Sequence, residues 1–309
     1  MSAPAVTAGA EPQLRARRRR YSEDVIKGVL ALCAFVSVLT TVGIVVALFL
    51  PAFEFFSDVN PLDFFTGTDW APLFSPASFG VLPLVAGTLL VTAIAAIVAM
   101  PLGLGSAVYL SEYAGPRARG ILKPLLEILA GIPTVVFGYF ALTFMTPLLR
   151  DIGIDVGVFN GLSAGLVMGV MLIPTIASLS EDAMGAVPRD LRDGAYALGS
   201  TRVQVATRIV VPAAVSGIIA SFVLGVSRAI GETMIVLVAA GQQPNLTFDP
   251  REAIETMTAF IAATGAGDVP TGSLEYKTIF AVGATLFILT LVMNFAAIRL
   301  VRKYREVYE

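Results

Sequence analysis

The chain has 309 residues, of which 56% are hydrophobic and only 14% charged, and its mean hydropathy is +0.80. A soluble domain carries about 25% charged residues, so this composition excludes a soluble fold of ordinary kind. There is no histidine and one cysteine, Cys33, which excludes imidazole acid–base chemistry, His- or Cys-cluster metal sites and intrachain disulfides. The net charge of −2 says less than the placement of the charges.

The amino-terminal segment, 1–22, is polar and basic and is expected to be disordered. Its run Arg17 to Arg20 has the composition of a nucleic-acid patch. A hydrophobic span begins within ten residues of it, however, so the run reads as an anchor that fixes orientation and meets anionic lipid, with no nucleic-acid partner. A membrane helix needs about 20 mostly apolar residues. Six stretches qualify, at about 28–50, 81–110, 125–149, 160–180, 209–240 and 277–299. The first is too long for the apolar core of a signal peptide and no small-residue cleavage pattern follows it, so it reads as an uncleaved helix. The remainder, 23–309, is expected to be one transmembrane domain, all α-helical. No fixed-period repeat points to a solenoid.

Lysine and arginine sort by loop. Seventeen of the 21 fall in the amino-terminal segment, the loops after spans two and four, and the tail. The alternate loops hold only Arg150, Arg251 and Lys277, while 51–80 carries Glu54, Asp58, Asp63 and Asp69 and no base. The positive-inside rule places both termini in the cytoplasm, which agrees with an even number of spans.

Small residues recur at four-residue spacing: Gly161, Gly165 and Gly169 in span four, then Gly217, Ser221, Gly225 and Ala229 in span five. Such stripes let helix backbones approach closely, either within the chain or as a dimer face or translocation wall. Pro101, Pro133 and Pro174 lie inside spans, and the backbone groups they free must be satisfied by protein or line a wet cavity.

Arg228 and Glu232 are the charges deep in a span. An arginine at the bilayer centre costs about 2.5–3.5 kcal/mol on insertion scales, so intramembrane charges usually face a cavity or a partner. The i, i+4 spacing puts the two on one helical face, where they can pair. A guanidinium binds an oxyanion through its planar fork, and Glu232 would hold it when the path is empty. Glu127 and Thr134 are weaker candidates for the same pathway. Lys123 stands at i−4 from Glu127 as an alternative partner, and the Thr134 hydroxyl follows Pro133 at a helix break, where a local backbone bond is the competing use.

The loop 181–208 carries the most specific pattern. Asp193-Gly194-Ala195 is followed after three residues by Gly199 and after nine more by Ile209-Val210-Val211-Pro212. Pro188 can open a short helix and Gly199 can close it with a left-handed cap, leaving Tyr196 and Leu198 to insert into a partner's groove. This spacing resembles the E-A-A, G, I-x-L-P loop of ABC-importer permeases, with Asp193, Gly194 and Val211 as mild departures. Further stretches resemble the PstC-type permease of phosphate importers: Phe79-Gly80-Val81-Leu82-Pro83, Leu110-Ser111-Glu112-Tyr113, Leu126-Glu127 through Pro133-Thr134, Ser227-Arg228 through Glu232-Thr233, and Glu255-Thr256-Met257-Thr258.

That resemblance implies a type I ABC-importer permease fold with six spans. It implies a homologous permease partner (PstA-like), an ATPase dimer (PstB-like) and an extracytoplasmic phosphate-binding protein (PstS-like). It also implies that Arg228 and Glu232 are the functional intramembrane charges, and that 186–200 is the coupling helix, with Asp193, Gly194, Ala195, Tyr196, Leu198, Gly199 and Pro212 at the ATPase contact. No lysine follows a glycine, so the chain has no phosphate-binding loop of the G-x-x-x-x-G-K-[ST] kind. It is expected to bind no cofactor, ATP and magnesium residing on the partner ATPase. Rival readings are a sulfate or molybdate permease, a stand-alone secondary transporter, and a membrane enzyme. The segment Arg251 to Ala263 is expected to form a short amphipathic helix that packs on the bundle or meets a binding protein.

Overall fold

The computed structural model describes residues 21–303; the basic run Arg15 to Arg20 and Arg305 lie outside the described residues. The chain divides within its first helix into units 1–47 and 48–309. In the first unit, helix α1 (Tyr21–Asp58) begins, and its large side chains, among them Leu30, Phe35, Leu39 and Ile44, are exposed. The hydroxyls of Thr40 and Thr41 donate to the carbonyls of Val36 and Ser37 one turn earlier, so they leave no unpaired donor on an apolar surface.

The second unit opens with the end of α1 and the short α2 (Pro61–Thr66), whose first turn is capped by the Asn60 side chain. Strands β1 (Trp70–Ala71) and β2 (Ser78–Phe79) pair antiparallel, with Trp70 opposite Phe79. Phe55, Phe64, Trp70 and Phe260 meet edge to face beneath this hairpin. The main bundle follows: α3 (Leu82–Tyr113), α4 (Pro116–Gly131), α5 (Thr134–Asp151) and α6 (Gly161–Gly185). Next come α7 (Arg189–Ala197), α8 (Arg202–Ala213), α9 (Val215–Ile230), α10 (Met234–Ala239), α11 (Met257–Ala266) and α12 (Leu274–Lys303).

Among the described residues, four helices are each long and apolar enough to cross a membrane: α1, α3, α6 and α12. Two bent pairs bring the number to six: α4 with α5 at 90°, and α8 with α9 at 71°. The stretch 125–149 therefore straddles a right-angle bend. Pro133 has no N–H to continue the ladder and biases Ile132 toward extended backbone. Ile132 (ψ 129°) and Pro133 (ψ 138°) end one helix and start the next. The stretch 209–240 is likewise interrupted at Gly231–Thr233, between α9 and α10.

α6 is the central element, and its glycines explain why. A Cβ on Gly169 would lie 2.7 Å from Val98 Cβ, and one on Gly165 would lie 2.8 Å from Ile94 Cβ, both on α3. α3 answers with Gly103, which leaves room for Ile176. On the other flank Gly217 of α9 abuts Ala183, Gly225 abuts Ile176, and the hydroxyls of Ser221 and Ser180 are 2.8 Å apart. Both small-residue stripes thus serve packing inside the chain. The expected amphipathic helix Arg251 to Ala263 begins instead at Met257. Asn245, Asp249 and Arg251 bond within the loop 243–256, Ile254 N–H donates to the Ala240 carbonyl at the end of α10, and Thr256 caps the new helix through Ala259 N–H.

This packing sets a stability test. Gly169→Ala forces overpacking of the α3–α6 contact and should cost about 1–3 kcal/mol. Gly105→Ala, where a Cβ meets nothing within 4 Å, should be neutral or slightly stabilising. Thermal unfolding of the two detergent-purified variants beside wild type reads the difference.

Candidate functional site

Arg228 lies in the last turn of α9, and Glu232 lies beyond the helix end in the break before α10. The break changes what the i, i+4 spacing means. Once the helix stops at Ile230 the two side chains no longer share a helical face, and no ion pair joins them among the described residues. The Glu232 carboxylate turns forward instead and accepts the N–H groups of Met234 (3.0 Å) and Ile235 (3.3 Å) at the start of α10. Its own carbonyl accepts the hydroxyl of Thr258 at 2.7 Å. Glu232 is buried, at 8% exposure, and acts as the seal of a broken helix.

Arg228 is exposed, and its guanidinium makes one hydrogen bond, 3.2 Å to Thr175 Oγ1 on α6. Among the described residues, most of its five donors therefore have no partner. Arg228 stands ~20 Å along α9 from Val215 at 1.5 Å per residue, so the exposed cation sits well inside an apolar segment rather than at its start.

Thr134 is half-buried at the first turn of α5. α5 packs directly on α10: a Cβ on Gly138 would lie 3.0 Å from the carbonyl oxygen of Met234 and from Val238 Cβ. The structure thus brings the helix of Thr134 against the element that Glu232 caps. Glu127 is placed apart, on the far side of the 90° bend. It is exposed on α4 and shares a cavity of ≈ 520 Å³ with Arg119 and Lys123. Lys123 pairs not with Glu127 but with Glu181, at 3.1 Å.

The loop helix α7 starts after Pro188 and ends in a left-handed Gly199 (φ 80°). Ser200 N–H donates to the Ala195 carbonyl and Gly199 N–H to that of Tyr196, the paired bonds of a Schellman end. Ala195 is buried against a cluster that includes Val187, Val205 and Ile218. Asp193 and Gly194 are exposed, as are Tyr196 at 42% and Leu198 at 89%. Pro212 stands two residues before the bend at Ala214 that separates α8 from α9.

Residues 99–306 match the family described as "Binding-protein-dependent transport system inner membrane component". The chain belongs to this permease family. It is 35% identical over 295 residues to the "Probable ABC transporter permease protein YqgH" of Bacillus subtilis, covering 94% of each chain. It is also 35% identical over 283 residues to the "Phosphate transport system permease protein PstC 1" of Mycobacterium tuberculosis, covering 79% of this chain and 83% of that one. Among solved structures, a bacterial alginate ABC transporter chain superposes with TM-score 0.65 at 16% identity, covering 93% of this chain and 98% of the other. A chain of the MetNI methionine ABC transporter gives 0.56 at 19%, covering 74% and 95%. The all-α fold is that of an ABC-importer permease, a multi-pass inner-membrane transport component and not an enzyme. Such permeases work with an ATPase and a binding protein.

The permease has a second polar cluster that motif reading passed over. Arg192 of α7 reaches Glu112 at the end of α3, with Nη2 3.1 Å from Oε1, and also donates to the carbonyls of Val187 and Met184. The pair is 16% and 6% exposed. Arg119 of α4 donates to the Leu110 carbonyl and lies 3.7 Å from Glu181 at the end of α6. Lys123 meets Glu181 at ion-pair distance, off the angle of a hydrogen bond. Each acid at a span's end meets bases from the other cytoplasmic-type loop, Glu112 those after α6 and Glu181 those after α3, a crossing that no local spacing marks.

Removing one partner of a buried pair leaves an uncompensated charge, at about 3–5 kcal/mol. Arg192→Met should therefore destabilise the permease far more than Arg192→Met combined with Glu112→Gln. A double-mutant cycle by thermal unfolding, with a coupling energy near zero as the contrary result, checks this.

Proposed function

We propose that this permease is the PstC-like half of an ATP-driven importer that moves inorganic phosphate into the cytoplasm by alternating access. Residues 23–309 form its single transmembrane domain, both termini are cytoplasmic, and a PstA-like permease completes the pore. A PstS-like protein delivers phosphate from outside. A PstB-like ATPase dimer binds ATP and magnesium and engages α7 through Asp193, Gly194, Ala195, Tyr196, Leu198 and Gly199, with Pro212 at the following bend; this chain binds no cofactor of its own.

The observation that carries the reading is Arg228. An exposed guanidinium within an apolar span is costly against lipid. It is tolerable only where the face is covered by another chain or by water, which is where a two-permease pore runs. Glu232 does not neutralise it but holds the adjoining break, so the arginine fork is left to meet tetrahedral oxyanion oxygens. Thr134 lies on the helix packed against that break, whereas Glu127 joins the polar set around α4. The exposed Tyr196 and Leu198 on a firmly capped α7 support a docking role, since isolated loop helices gain nothing by presenting such side chains to water. The resemblance to PstC relatives supports phosphate among the oxyanions. Substrate contact alone cannot drive the cycle, because an equilibrium shifts only by differential stabilisation of two states; ATP-driven closure through α7 supplies that difference.

The test is phosphate uptake by the complete transporter in vesicles. Arg228→Gln should lower uptake at least tenfold while assembly persists, and Arg228→Lys should retain part of it. Unimpaired uptake by Arg228→Gln sinks the assignment of this residue. Competition by sulfate or molybdate as strong as by phosphate sinks the substrate.

A further inference from the structure

Glu255 lies at the end of the bundle opposite α7, in the loop that leads into α11. It is 6% exposed, and among the described residues its carboxyl has no hydrogen-bond or ion-pair partner. It forms part of the wall of a cavity of ≈ 460 Å³, together with Trp70, Phe74, Gln242, Phe260 and Asp268. Burial pushes the Glu255 carboxyl up to about 7. A buried carboxyl without a partner is completed by a proton or by a cation.

Among the described residues, no lysine or arginine lines this cavity to supply the second. Lys277 is held by Glu54 at 3.2 Å and Asp58 at 3.9 Å. Arg251 is held by Asp249, and Arg150 donates to the Val156 carbonyl. The segment 51–80, which forms one wall, contributes four acids and no base. A hard metal ion needs six or more oxygen ligands, whereas the lining here is largely aromatic and apolar, and no metal-binding cluster occurs among the described residues. Aromatic faces beside a carboxylate are instead the surroundings of an ammonium or guanidinium group. Leu73 and Phe74, which line the same cavity, are 56% and 75% exposed, an apolar lip on a loop of the kind that marks a docking surface.

We propose that this cavity receives a lysine or arginine side chain of the extracytoplasmic binding protein, with Glu255 as its counter-charge. The inference rests on the importer reading above for the existence of that partner. It also gives docking a route to the pathway. Glu255 is clamped to α3, where a Cβ on Gly87 would lie 2.3 Å from the Glu255 carbonyl oxygen. The next residues tie the same strap onward: Met257 N–H donates to Thr88 Oγ1, and Thr258 Oγ1 donates to the carbonyl of Glu232. A group seated on Glu255 therefore pulls on the strap that also holds the α9–α10 break.

The experiment titrates the binding protein, fluorescently labelled and with or without phosphate, against the complete transporter in nanodiscs. Glu255→Gln keeps the shape and removes the charge. It should raise the half-saturating concentration about tenfold or more. For wild type, protonation competes with the cation, so docking should weaken about tenfold between pH 8 and pH 6, and Glu255→Gln should be flat across that range. An unchanged half-saturation and an unchanged pH profile in Glu255→Gln overturn the proposal. The two readings fail differently: a wrong substrate appears as phosphate having no effect on docking or ATPase in wild type, whatever residue 255 is.

Discussion

The hydrocarbon of a bilayer offers no water to satisfy a backbone N–H or carbonyl, so a helix break must be sealed by the protein or line a wet cavity. The arrangement of this permease follows from that constraint. The break before α6 is closed by Asn160, whose side chain accepts Ser163 N–H at 2.7 Å. The N–H groups of Gly161 and Leu162 donate to carbonyls of Glu252 and Pro250. The break before α11 is closed by Thr256, and the one before α10 by the carboxylate of Glu232. The loop 243–256 is drawn into the bundle because its carbonyls and hydroxyls are needed there.

The same constraint divides the labour of the two intramembrane charges. A carboxylate that accepts two backbone N–H groups is already compensated by a helix start, so it has little need of a guanidinium. Among the described residues, Arg228 is then compensated only by the Thr175 hydroxyl. An ion pair would have made the site self-sufficient and electrically quiet. Its replacement by a cap makes the glutamate structural and leaves the arginine incomplete, the condition under which an anion gains by approaching.

Much of this was legible in the sequence, for definable reasons. Apolar runs without charge show where spans lie, and the spacing from Asp193 to Pro212 marks the loop helix, because both are written in local residue order. The Gly199 end was readable because only a residue tolerant of positive φ closes a helix that way. The Arg228–Glu232 pairing was not readable, since it assumed an unbroken helix. The interruption at Gly231–Thr233 is stabilised by Thr258, which lies 26 residues away. Small-residue stripes likewise could not name their neighbours until Val98, Ile94 and Ala183 were seen against them. The Glu112–Arg192 contact spans 80 residues, beyond any pattern of spacing.

That long contact bears on how motion is carried. A docking helix attached only by flexible chain would move without moving the bundle. Here α7 is fixed to α3 through Arg192 and Glu112, to the end of α6 through the Met184 and Val187 carbonyls, and to α8 and α9 through the buried Ala195 cluster. α6 is in turn locked to α3 and α9 by glycines that leave no room for sliding. A push on Tyr196 or Leu198 therefore reaches α9, and with it Arg228, through close-packed contacts that transmit strain rather than absorb it. The soft points are the bends at Ile132–Pro133 and Ala214 and the break at Gly231–Thr233, where backbone torsions can change without opening the α3–α6 seam. In the proposed cycle, movement of the permease would be rotation about these points, with the glycine-packed pair as the fixed frame.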